Sequence, residues 1–188
     1  MTLFEYVTVA VSIVLALGVV RLLDGVRHAL SPGRRYPTHF LWIATKLLNH
    51  ALFWWALWAG RETVSWNFAS FMWTLLFPAT LYLQSTALVT TSPSAVSSWR
   101  DHFFAIRVWF FAINIFLILH ALLTSALLFG LPLLDPSRLP LALVLVVNVL
   151  GLVSKRERLH LLIAAVALLT QALGFGVIWF QPGSLAPS

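Results

Sequence analysis

Long apolar runs separated by short polar stretches set the pattern of this chain. Six stand out, at residues 3–23, 38–58, 68–91, 103–129, 139–153 and 159–180. A helix needs about 20 apolar residues to cross a bilayer, and five of the six runs reach that length. Pro78 kinks the third run, a break that neighbouring helices tolerate in lipid. The fourth covers about 40 Å at about 1.5 Å per residue, so it tilts or protrudes. The fifth covers only about 22 Å against a hydrocarbon core of about 30 Å, and by length alone fits a re-entrant segment as well as a span.

Charge in the connections decides the fifth run. Arg21, Arg27, Arg34 and Arg35 surround the connection after the first run, and Arg100 and Arg107 the one after the third. Lys155, Arg156 and Arg158 fill the one after the fifth. The connections after the second and fourth runs hold one arginine each, Arg61 and Arg138, both near an acid. With six spans every basic-rich loop falls on one side, as the bias of Lys and Arg toward the inner face requires. The expected fold is an all-α integral membrane protein, a six-transmembrane-helix bundle with both termini on the outer (periplasmic) side. Residues 1–180 form its single domain and 181–188 a short disordered tail. Tryptophan fits the same scheme. Trp54, Trp55, Trp58, Trp66, Trp73 and Trp179 fall near the predicted outer interface, and Trp42, Trp99 and Trp109 near the inner one.

Composition narrows the classes. Of 188 residues, 60% are hydrophobic and 10% charged, too apolar a mixture for water to be the main solvent. The net charge of +6 is scattered at the ends of apolar runs, which suits membrane orientation and not nucleic-acid binding. With no cysteine, disulfides, thiolate catalysis, iron–sulfur clusters and cysteine zinc sites are excluded. Glu5 stands where a signal peptide would be basic, so the first run is expected to remain as an anchor.

Lys46, Asn49 and His50 interrupt the second run at spacing i, i+3, i+4, on one helical face. Lys46 lies about 12 Å from the inner end of its helix. It reads either as a coupling group, anion site or proton-linked switch, or as a lysine snorkelling to the inner headgroups. No aspartate or glutamate lies deep in any run to pair with it. Asn114, Asn148 and Gln171 sit at similar depth on three other runs. They read as interhelical hydrogen-bonding groups or, converging with Lys46, as the lining of a polar midplane site. The candidate substrate or ion site is therefore Lys46, Asn49, His50, Asn114 and Gln171. His50 and His120 also invite a bis-histidine haem b, the one cofactor the sequence offers. His39, His102 and His160 open runs two, four and six and read as inner-interface residues. Glu5 suits the positive end of the first helix dipole.

Small residues spaced by four, Ser12/Ala16, Ala121/Ser125 and Ala172/Gly176, mark surfaces for close helix approach. Three runs in each half would give the halves opposite orientation, the geometry of an inverted repeat, with Asn49 and Asn148 in loosely corresponding places. No phosphate loop, HExxH or GxSxG motif is present, and the connections leave no room for a soluble catalytic domain.

The opening FEYVTVAVSIVLALGVVRLLDGV (Phe4 to Val26), followed by an Arg-rich loop and NHALFWWALW (Asn49 to Trp58), resembles a group of small bacterial polytopic membrane proteins with an FEY-type first span. The resemblance covers about the first third of the chain. It implies a bacterial inner membrane and no particular activity. The function expected is a transport, channel or sensor module without catalysis. The alternatives are a structural or assembly subunit, paired with a membrane-protein partner or a second copy, and a haem-b electron carrier.

Overall fold

The computed structural model describes residues 2–63, 65–130, 132–133 and 139–177. Six long helices carry them: α1 (Leu3–Ala29), α2 (Pro37–Leu57), α4 (Phe68–Leu88), α5 (Trp99–Leu127), α6 (Leu139–Val153) and α7 (Glu157–Val177). A single-turn helix, α3 (Gly60–Thr63), joins α2 to α4, and no strand occurs among the described residues. Trp179, Arg138 and the expected tail at 181–188 lie outside the described residues.

Local signals start the helices. Thr2 and Glu5 form a reciprocal capping box, the Thr2 hydroxyl accepting from the Glu5 N–H and the Glu5 carboxylate accepting from the Thr2 N–H at 2.7 Å. Asn67 and Ser70 do the same for α4, Ser98 caps α5, and Pro37 occupies the first turn of α2. Apolar content misjudges several of these boundaries. α1 continues past Leu23 to Ala29, and α5 begins at Trp99, because charged residues end a hydrocarbon crossing without ending a helix. Arg27 and His28 in the last turn of α1 even suit the helix dipole.

The helices run up and down. One end gathers the C-termini of α1, α4 and α6 with the N-termini of α2, α5 and α7, and it carries the basic connections. There the first turns of α5 donate to the spent ends of three helices. Trp99 Nε1 donates to His28 O of α1 at 3.0 Å, and His102 Nε2 to Ala87 O and Leu88 O of α4 at 3.0 and 3.2 Å. Arg107 donates to Gly151 O and Leu152 O of α6 and to Ser154 O just beyond it. Ser154 O also accepts from His160 of α7 at 2.9 Å. Three orphan helix ends thus find donors, as buried carbonyls must. The opposite end is aromatic, with Phe4 against Trp58 and Trp66, and Tyr6 against Phe71.

α2 is the central element, packed on α1, α4, α5 and α7. Apolar side chains lie both inside the bundle and on its outer face. α1 buries Val7, Val11, Leu15, Gly18, Leu22, Gly25 and Ala29 on one face and exposes Leu3, Val9, Ile13, Leu17, Val20 and Leu23 on the other. Meanwhile Lys46, His50, Gln84, Arg107 and Asn114 are buried. α1 and α5 are long and apolar enough to cross a membrane, and α6 is apolar over the shorter stretch Leu141–Val153.

Trp42 and Trp99 are buried within the bundle, Trp42 edge-on to Phe110 and Phe111, and Trp99 stacked on His39. His39 and His160 are likewise fully buried, His160 ringed by Phe103, Phe104 and Phe111. Helices approach closely at glycines: Gly18 meets His50, Gly25 meets Val89 and Gly151 meets Phe111, and a Cβ at any of the three would overlap its neighbour. Ala16, by contrast, is exposed. The halves also pack differently. α1 lies along α4, whereas α5 meets α7 chiefly through the rings around His160.

Candidate functional site: a buried lysine between three helices

The i, i+4 spacing that aligned Lys46 with His50 turns both inward from α2. Lys46 is 1% exposed and His50 2%. The Lys46 ammonium nitrogen donates to Asn114 Oδ1 of α5. The rings of Trp42 and Phe110 flank it at 5.8 and 5.5 Å, within reach of a cation–π contact. The side chain ends in the core and does not run along its helix to a surface. No carboxylate contacts it among the described residues.

Gln84 brings α4 to the same level. It is fully buried, and its Nε2 donates to Phe110 O at 3.4 Å, one helical turn before Asn114 on α5. His50 Nδ1 lies 2.7 Å from Lys46 O. A carbonyl can only accept, so Nδ1 carries the hydrogen and the neutral ring keeps a lone pair on Nε2. That Nε2 lies against Gly18 of α1, where the missing Cβ makes room for the ring.

The site is rich in polar atoms left without partners. His50 Nε2, Gln84 Oε1 and Asn114 Nδ2 have no hydrogen-bond partner among the described residues, although all are buried. Native interiors pair the great majority of such atoms, because each unpaired one costs on the order of 1–3 kcal/mol. One amine, one imidazole lone pair, one amide N–H₂ and one amide carbonyl therefore stand in the core with capacity to spare.

Other candidates fall elsewhere. Asn49 is half-buried and makes no side-chain hydrogen bond among the described residues. Asn148 is buried but turns back on its own helix, donating to Val144 O at 2.7 Å. Gln171 is half-buried on α7, its Oε1 unpaired. Of the expected set, then, Lys46, His50 and Asn114 come together, and Asn49 and Gln171 make no hydrogen bond to them. Sequence reading missed Gln84, a polar residue in an apolar run and thus the same signal that exposed Lys46.

The two histidines considered as haem ligands are engaged separately. His120 donates from Nε2 to Trp73 O at 3.1 Å and stacks on the Trp73 ring at 4.6 Å. Its partner carbonyl lies just before the turn that Pro78 deprives of an N–H. His50 faces Gly18 instead. Among the described residues no three His, Asp or Glu side chains are grouped so as to hold a metal ion. Against known protein families, curated proteins and solved structures the chain gives no match.

Proposed function

We propose that this chain is a six-span bacterial inner-membrane protein, both termini outside, and that it works as a proton-linked transport, channel or sensor module without covalent chemistry. The observation that carries this is Lys46, buried with no carboxylate partner among the described residues, on a helix packed against α1, α4, α5 and α7. An ammonium there has three N–H donors and one acceptor, Asn114 Oδ1, among the described residues. Gaining or losing a proton changes what Asn114 must satisfy. Because α2 packs on both α4 and α5, that change reaches three helices at once.

The membrane setting is supported by the apolar outer faces of α1 and α5 and by the basic connections gathered at one end. Intramembrane ionisable residues facing a bundle interior mark ion and proton pathways in general. Lys46 and His50, the two most deeply buried residues of the polar face of α2, are covered within the chain, which supports an internal site. A proteoliposome assay with an internal pH-sensitive dye tests the proposal. Wild-type protein is expected to dissipate an imposed proton gradient, and Lys46→Met to return the rate to that of empty liposomes. Equal rates for the two proteins remove Lys46 from the mechanism.

A further inference from the structure

A second site lies at the basic end, outside the Lys46 core. Arg100, Arg156, Glu157, Arg158, Leu159 and Leu162 line a groove of about 650 Å³ between the starts of α5 and α7. Its charges are of two kinds. Arg100 is fixed, since it pairs with the Glu157 carboxylate, lies 3.0 Å from Asp101 Oδ1 and rests its guanidinium over the Phe104 ring at 5.5 Å. Arg156 and Arg158 are exposed, and neither side chain has an ion pair or hydrogen bond among the described residues. They leave the groove with unspent positive charge.

Below the arginines the groove floor is leucine. Leu162 is 60% exposed, and Leu169 and Leu173 continue its face down α7 at 61% and 67% exposed. A cationic mouth opening onto an exposed apolar stripe along one helix matches a molecule with an anionic head and a hydrocarbon tail. We infer that this groove binds an anionic phospholipid, its phosphate held by Arg156 and Arg158 and one acyl chain lying along Leu162, Leu169 and Leu173. Arg100, already paired, shapes the mouth and stays with Glu157. Paired guanidinium groups suit phosphate because each offers a planar fork of donors, and basic pockets between helices on the positive side of a membrane recognise such headgroups. The occupant is a lipid and not a free anion, because a free phosphate would leave the leucine stripe unused.

The inference rests on the six-span reading, which puts this groove at the inner headgroup level. The test is titration of the full chain in a neutral detergent with dioctanoyl phosphatidylglycerol, read by calorimetry. Saturable binding is expected, with dioctanoyl phosphatidylcholine and inorganic phosphate each at least about tenfold weaker. Arg156→Gln with Arg158→Gln should weaken phosphatidylglycerol about 30-fold, while Arg34→Gln with Arg35→Gln, on another loop of the same end, leaves it unchanged. Unaltered affinity in the Arg156/Arg158 double variant, with circular dichroism matching wild type, overturns the site. Inorganic phosphate competing as well as the lipid overturns the lipid assignment. Orientation is read separately. The chain lacks cysteine, so Lys155→Cys is a unique label, and its modification from outside intact cells overturns the placement of this end at the inner face whatever the titration gives.

Discussion

Arg107 and Lys46 are both buried cations on adjoining helices, yet Arg107 donates to three backbone carbonyls and Lys46 to one side-chain amide. Arg107 closes the C-terminus of α6, where a fixed positive charge meets the negative end of a helix dipole and carbonyls that would otherwise be orphaned. Every neighbour gains by its presence. Around Lys46 the opposite holds, with three buried polar atoms unpaired and aromatic rings in place of a counter-ion. The first arrangement is what a fold needs to hold together. The second departs from local consistency without a structural return, which is where function is to be sought.

Substitutions can break or sharpen that contrast. The largest stability loss is expected for Arg107→Leu, about 3–6 kcal/mol, because the two N–H groups of its Nη1 serve these carbonyls and each hydrogen bond from a charged donor is worth about 1.5–3 kcal/mol. Unfolding in mixed micelles followed by circular dichroism measures it, and a loss under about 1 kcal/mol would deny Arg107 its structural role. Gly18→Ala comes next, at about 1–3 kcal/mol, since the added methyl strikes the His50 ring and must part α1 from α2. In the proteoliposome assay this variant should also alter proton flux, as it moves the ring beside Lys46. His120→Phe keeps the stack on Trp73 but leaves the Trp73 carbonyl without its side-chain donor, costing about 1 kcal/mol by the same unfolding measurement. Proton flux should survive it. Lys46→Met should change stability least, by less than about 1 kcal/mol, because removing a poorly provided buried cation offsets the loss of the donor to Asn114 Oδ1. A loss above about 3 kcal/mol there would make Lys46 a structural residue like Arg107 and erase the contrast.

Much of this was legible from the residues alone. The runs around 3–23 and 38–58 became α1 and α2 because apolar stretches of that length have few other stable forms. The i, i+4 relation of Lys46 and His50 put both on the same inward face of α2. Gln84 escaped notice because α4 mixes Thr, Ser and Gln among its apolar residues, and no spacing rule says which of these faces the core. The burial of Trp42 and Trp99 was illegible for a related reason. Tryptophan suits an interface and a core equally well, and only the neighbouring rings decide.

What the sequence by itself determined was the solvent-facing logic of the chain: all-helical, apolar outward, basic at one set of turns, with a lysine stranded in the second run. Periodicity and transfer energies act along the chain and can be read along it. Tertiary structure alone decided that α2 is central, that Asn114 and not Gln171 meets Lys46, and that the start of α5 closes three other helices. Those facts depend on which side chains meet across sequence separations such as the 68 residues between Lys46 and Asn114, a quantity set by the packing of whole helices and not by any local pattern.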